Sequence, residues 1–148
     1  MLDIRVYRTE EDLLKGISRE KYIDFLHEHL NEFRDSKEAI SNAIDYAFSE
    51  SEGKGGFLVT AHYEGKLVGE LLMIKTGMKE FIPENILVYV AVDSAYRGKG
   101  FGRELIEESL LLCEGEVKLH VEYNNPAKRL YERIGFTTKY AEMRYRKK

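Results

Sequence analysis

Val88-Tyr-Val-Ala-Val-Asp-Ser-Ala-Tyr-Arg-Gly-Lys-Gly-Phe-Gly-Arg-Glu-Leu-Ile106 reads as a strand, a glycine turn and a helix in immediate succession. The apolar run begins at Ile86 and reaches Val92 without a charge, the pattern of a strand buried on both faces. Gly98, Gly100 and Gly102 then interrupt the chain at alternate positions. From Arg103 the period is helical: Ile106, Leu110 and Cys113 share a face, with Leu105 and Leu112 beside it. Glycines at this point let successive main-chain N–H groups converge with no side chain in the way. The same point is a helix N-terminus, where free N–H donors and the helix dipole favour an anion. Arg97, Lys99 and Arg103 add positive charge. The guest this predicts is a phosphate or pyrophosphate; the alternative is a glycine turn of structural use only.

Two common phosphate loops do not fit. A Walker loop needs Gly-Lys-Ser/Thr, and Gly98-Lys99 is followed by Gly100. A dinucleotide fingerprint needs a further glycine where Arg103 stands, or one residue earlier in another register, and neither register fits. Arg97-Gly98-Lys99-Gly100-Phe101-Gly102 does resemble the coenzyme A loop of the GNAT superfamily of N-acetyltransferases, Arg/Gln-x-x-Gly-x-Gly/Ala. It lies where that family has it, between a buried strand and a long helix.

A second stretch carries the same resemblance. The family ends on Asn-x-x-Ala-x-x-Leu-Tyr-x-x-x-Gly-Phe, and Asn124, Ala127, Leu130, Tyr131, Gly135 and Phe136 match it position for position. Asn125-Pro126 offers the asparagine a second register. Two motifs in the right order are far more specific than either alone. The implied fold is α/β: a single GNAT-like domain spanning residues 1–148, with a mixed, mostly antiparallel sheet flanked by helices and a splayed central strand pair.

The rest of the chain agrees with one mixed α/β domain. Leu2 to Tyr7 alternates as a half-buried strand. Thr9 with Asp12 reads as the cap of a short helix stopped by Gly16. Ile23, Leu26, Leu30 and Phe33 give one helical face. Ile40, Ala43, Ile44, Ala47 and Phe48 give another, with Asp35 as its expected cap and Glu38 as reciprocal partner. Phe57 to Tyr63 and Leu67 to Thr76 form a hairpin about Glu64-Gly65-Lys66, and Gly69 marks a bulge or a close backbone approach. Val117 to Tyr123 reads as a strand, Ala127 to Arg133 as a short helix, and Phe136 to Arg146 as a last strand, or two with a kink. Lys147 and Lys148 read as a solvated tail.

Composition excludes several classes. The formal net charge is −3, which argues against a nucleic-acid partner bound through a broad basic surface. No apolar run approaches the roughly 20 residues that span a bilayer, and Met1 to Arg8 lacks the shape of a signal peptide. The lone Cys113 permits no intrachain disulfide, reads as a small core residue and fits a cytoplasmic setting. His27 and His29 are two apart on a helix and point in different directions, so they read as surface residues; no metal site is expected.

The resemblance implies more than the residues do alone. It implies acetyl-CoA as acyl donor and an amine acceptor, small molecule or protein, attacking directly in a ternary complex. Val90 and Val92 match the positions whose main chain pairs with the pantetheine arm, the Val90 amide also holding the thioester carbonyl. Arg97 to Gly102 with Arg103 match the pyrophosphate loop, and Asn124 or Asn125 the residue that touches pantetheine or caps the last helix. Tyr131 matches the general acid that protonates the departing thiolate. The family's general-base glutamate falls on Ile86, so Glu84, Glu70 or water must take that role; His120 and Tyr123 also border the cleft. Homodimers are frequent in the family. The alternative class is a non-catalytic module that binds coenzyme A or an acyl-CoA.

Overall fold

The computed structural model describes residues 1–147; Lys148 lies outside the described residues. Five strands form one sheet in sequence order: β1 (Asp3–Tyr7), β2 (Gly56–Tyr63), β3 (Lys66–Lys75), β4 (Asn85–Val92) and β5 (Val117–Leu119). The first four pair antiparallel, and β4 with β5 is parallel. Helices α1 (Glu10–Gly16), α2 (Arg19–His29) and α3 (Lys37–Ala47) connect β1 to β2. Helix α4 (Phe101–Leu110) connects β4 to β5, and α5 (Ala127–Ile134) follows β5.

The sheet separates two apolar layers. Leu13, Tyr22, Leu26, Ile40 and Ile44 pack with Leu58 and Leu72 on one side. Leu105 and Ile106 pack with Val59, Val68, Leu71 and Met73 on the other. Helix starts follow the capping chemistry of the sequence. Thr9 and Ser18 accept from Asp12 N–H (3.0 Å) and Lys21 N–H (3.1 Å). The cap of α3 is Ser36, which accepts from Ala39 N–H at 3.1 Å, and not Asp35. Ser36 wins because it stands directly before the first helical residue, which is where a cap oxygen reaches the free amides. Tyr22 is also more central to α2 than the Ile23–Phe33 stripe implied: it is fully buried, and its hydroxyl donates to the Leu71 carbonyl at 2.7 Å.

Strand β5 is shorter than expected, three residues rather than Val117 to Tyr123. It pairs with β4 only from Asn85↔Val117 to Leu87↔Leu119, while β4 runs on to Val92. The two strands therefore part after Leu87. Asn85 pins the closed end: its side chain donates to the carbonyls of Glu114 (2.7 Å) and Glu116 (3.1 Å), and its own N–H donates to Glu116 (3.1 Å). It is 4% exposed. Asn85→Ala removes both side-chain bonds, leaves the Glu114 carbonyl without this donor, and is expected to cost about 1–3 kcal/mol in urea unfolding.

Two further expectations are corrected. Phe136 to Arg146 forms no strand, and Tyr140, Met143 and Tyr145 are exposed. The apolar spacing there breaks step between 140 and 143, so no single face of a strand would be apolar. Helix α4 begins at Phe101 and ends at Leu110, so Cys113 lies past it, half-buried against the α4 layer with its Sγ 3.6 Å from the Ser109 carbonyl. Of the two readings of Gly69, a bulge or a close backbone approach, the second holds: the bulge falls beside it, at Val68, where Ala61↔Gly69 gives way to His62↔Leu67. Gly69 itself allows close approach, since a Cβ would stand 3.1 Å from Leu105 Cδ2.

Candidate active site

The parting of β4 and β5 opens a cleft of about 1180 Å³. Its walls are β4 from Ile86 to Val92, the glycine loop, the end of β5, helix α5 and the segment from His29 to Asp35.

One extra residue aims the wall of this cleft. The register of β3 and β4 runs Leu72↔Tyr89 and then Met73↔Leu87, which leaves Val88 unpaired as a bulge. Asn85 N–H faces β5 through its bond to Glu116, and by alternation Leu87 does too. Beyond the bulge the phase is reversed. Asp93 N–H donates to the Val68 carbonyl of β3 at 2.8 Å, so Ala91 and Tyr89 also face β3, and Val90 and Val92 turn their main-chain groups into the gap. The side chains report the same shift: Val88 and Tyr89, neighbours in sequence, both pack on the α2–α3 layer.

The glycine loop follows. Asp93 caps its 3-10 turn (Ser94–Tyr96) by accepting from Ala95 N–H at 2.9 Å. Gly98 and Gly100 adopt φ of +81° and +82°, a conformation that a side chain disfavours, and a Cβ at either would meet open space. Among the described residues, the next main-chain N–H after Tyr96 to reach a main-chain carbonyl is Glu104, on Gly100 at 3.1 Å. The amides between them form a concave run of donors at the start of α4. Gly102 serves contact rather than turning: a Cβ would lie 3.3 Å from Leu130 Cδ2, so its absence lets α5 seat against α4. Phe101 anchors the loop from below, its ring 4.9 Å from Tyr63 and 6.4 Å from Tyr96.

The cations divide. Arg103 and Lys99 are exposed, and Arg103 lies 3.4 Å from Glu107. Arg97 instead folds back, its Nε donating to the Val92 carbonyl (3.2 Å) and its Nη2 to the His29 carbonyl (2.6 Å). It ties the loop to β4 and to the end of α2. His29 is consequently no surface residue. Its side chain is 10% exposed, its ring tilted against that of Phe25 at 4.5 Å, with Nδ1 accepting from Ser94 N–H at 3.4 Å.

On the opposite wall, Asn125 Oδ1 accepts from Ala127 N–H at 2.9 Å and its amide reaches Glu122 at 3.4 Å. Asn125 thus opens helix α5, and Asn124 is exposed on the cleft. Tyr131 also lines the cleft, edge-on to Phe136 at 5.9 Å. Burial, with a smaller contribution from the Glu122 charge, pushes its phenol up to about 12. Ile86 stands on the wall as expected. Glu84 is committed elsewhere, accepting from Glu116 N–H at 3.1 Å. Glu70 is buried on the α2–α3 side of β3, with neither oxygen hydrogen-bonded. Neither Glu84 nor Glu70, nor Tyr123, lines the cleft, whereas His120 does.

One pair escaped the sequence reading. Tyr89 donates to Asp35 Oδ2 at 2.6 Å, joining β4 to the segment before α3 across one end of the cleft. No sequence pattern links residues so far apart; only the fold brings them together.

Comparison with known proteins agrees with this geometry. Residues 53–138 match the family model described as an acetyltransferase (GNAT) domain. The chain is 29% identical over 99 residues to a 5-NmdU N-acetyltransferase of Pseudomonas phage PaMx11, covering 66% of this chain and 68% of that protein. Among solved structures, a possible acetyltransferase from Clostridium difficile 630 superposes with a TM-score of 0.67 at 19% identity, over 99% of this chain and 97% of that one. An aminoglycoside acetyltransferase, meta-AAC0020, from an uncultured soil metagenomic sample and in complex with sisomicin, gives 0.65 at 18%, over 99% and 95%. The aminoglycoside N-acetyltransferase AAC(6')-Iy in complex with CoA gives 0.65 at 14%, over 99% of each chain. Among the described residues no helix is long and apolar enough to cross a membrane, and no three His, Cys, Asp or Glu side chains cluster to hold a metal. The family match spans more than half the chain and contains both motifs: this protein belongs to the GNAT acetyltransferases.

Proposed function

We propose that the protein transfers the acetyl group of acetyl-CoA to a primary amine by direct attack within the cleft. The observation that carries this reading is the convergence of three features on one gap. These are the inward main chain of Val90 and Val92, the donor loop from Gly98 to Arg103, and the Tyr131 hydroxyl-bearing ring. The loop fits a pyrophosphate, since Gly98 and Gly100 leave open space where a Cβ would stand. Arg97 secures the loop, Lys99 and Arg103 supply exposed positive charge, Arg103 shared with Glu107, and Asn124 is the asparagine left for the pantetheine arm.

The Val90 N–H is aimed to hold the thioester oxygen as negative charge develops on it. The amine nitrogen forms its bond to the acyl carbon as the carbon–sulfur bond breaks. An ammonium acceptor releases two protons overall: one passes to solvent, and one replaces the proton that Tyr131 gives to the sulfur. Against an ordinary thiol near 8.5, a phenol at about 12 is a weak donor by about 5 kcal/mol. The same dry cleft raises the leaving thiolate, which narrows that gap. The pairing works only because both groups share one desolvated site.

Calorimetric titration with acetyl-CoA and with coenzyme A tests the loop. Wild type is expected to bind both. Gly100→Glu is expected to weaken binding about 100-fold or more, because a carboxylate set against a pyrophosphate costs several kcal/mol. A Cβ at Gly100 meets no neighbour, so the variant bears only the backbone strain of a side chain at φ +82°, about 1–3 kcal/mol, and circular dichroism checks that it folds. No binding by folded wild type would remove the basis of this function. Thiol release across an amine panel then separates an enzyme from a module that merely binds coenzyme A.

A further inference from the structure

We propose that Asp35, held in place by Tyr89, receives a second, non-reacting ammonium group of the acceptor, so that the substrate class is a diamine or a larger polycationic amine. This rests on the acyl-transfer reading above and names the acceptor of the same cleft.

Tyr89 directly precedes Val90, whose amide faces the gap where the acyl group would lie. The bulge at Val88 throws the Tyr89 ring to the α2–α3 side rather than toward α4. The ring is 8% exposed and its hydroxyl ends on Asp35 Oδ2 at 2.6 Å. Asp35 is therefore set one tyrosine side chain away from the reacting centre, by a buried and rigid spacer. Its carboxylate is not used to cap α3, because Ser36 does that. The phenol hydrogen bond fixes the orientation of the carboxyl group. Burial, and then the hydrogen bond and charge of Asp35, push the Tyr89 phenol well up, so it remains a donor at working pH. Asp35 is exposed on the cleft, and among the described residues its Oδ1 accepts no hydrogen bond.

The distance decides the role. A carboxylate touching the reacting nitrogen would hold it as ammonium, which cannot attack. A carboxylate one side chain away anchors a different cation and leaves the reacting nitrogen free to lose its proton. That geometry selects two amino groups joined by several atoms. Arg144 lines the same end of the cleft close enough for its charge to act on Asp35, but its guanidinium is bonded to Glu142. It competes with the ligand for Asp35, and Arg144→Gln is expected to tighten diamine binding.

The test is titration of the coenzyme A-saturated protein with diaminobutane and with aminobutanol, which differ only in the second charge. Wild type is expected to bind the diamine about tenfold or more tightly, the size of one charge-assisted hydrogen bond. Asp35→Asn should remove that preference and leave aminobutanol affinity unchanged. Tyr89→Phe keeps the carboxylate but frees it, and should lose part of the preference. Equal binding of the two amines by wild type, or an equal loss of both in Asp35→Asn, would overturn the proposal. Thiol release measured in parallel with acetyl-CoA keeps the two claims apart. Absence of turnover would count against acyl transfer, while the binding preference would still stand or fall on Asp35.

Discussion

Replacing Tyr131 by Phe is expected to lower kcat by about 10²- to 10⁴-fold, the usual worth of a positioned proton donor. Coenzyme A affinity should stay within about twofold, because the substitution removes one oxygen and no ring area. The ring keeps its edge-on contact with Phe136, so the fold of α5 is preserved. The physical case is the desolvated phenol. Pushed up to about 12, it is fully protonated across the neutral range, so turnover should show no basic limb of its own there. What limits the acid side is the acceptor, which must shed a proton before it attacks. Steady-state thiol release from pH 6 to 10, with calorimetry in parallel, checks both parts. If Tyr131→Phe turns over like wild type, the leaving thiolate takes its proton elsewhere and Tyr131 is a packing residue.

The second large effect concerns Glu70. Its carboxyl is fully buried and neither oxygen has a hydrogen-bond partner. Burial pushes its pKa well above the ordinary carboxylate range, so the folded state holds its proton where the unfolded chain has lost it. Between those two pKa values the folded state binds more protons than the unfolded one. Stability must therefore fall as pH rises from roughly 4.3, the unfolded value, toward the folded pKa. His62 works in the opposite direction. Burial lowers its pKa, so its contribution is lost as pH falls through its own range. Comparison with Glu70→Gln isolates the carboxyl. Urea unfolding of wild type should show stability declining as pH rises above the ordinary carboxylate range, and Glu70→Gln should flatten that slope. Glu70→Met, which removes the unpartnered polar group at similar volume, is expected to gain about 1–3 kcal/mol at pH 8. A wild-type curve that matches Glu70→Gln at every pH would mean that the carboxyl finds solvent or a partner in the folded protein.

Much of the candidate site could be read from the chain itself. Gly98, Gly100 and Gly102 sit between a buried strand and a helix, and that local pattern is what suggested a phosphate loop. Gly98 and Gly100 are needed for their positive φ, and Gly102 for close helix contact, a division that periodicity alone does not reveal. Tyr131 was legible because its motif lies on one short helix, where spacing fixes which residues share a face. Asn124 and Asn125 were not separable, because both can begin a helix and only the bond from Ala127 to Asn125 tells them apart. Phe136 to Arg146 misled for a related reason. Local composition permits a strand, but a strand exists only with a partner edge, and β5 offers three residues.

The sequence by itself determined the order of the elements up to α5, the cap of α1, the glycine loop and the family. All are set by short-range spacing and backbone preference, which act within a few residues. Tertiary structure decided the rest: the bulge at Val88 that turns Val90 and Val92 inward, the parting of β4 from β5 after Leu87, the burial of Glu70, and the meeting of Tyr89 with Asp35. Each of these depends on strand register or on contacts across tens of residues. A one-residue shift in register exchanges the two faces of a strand without changing its composition, so the residues alone leave that choice open.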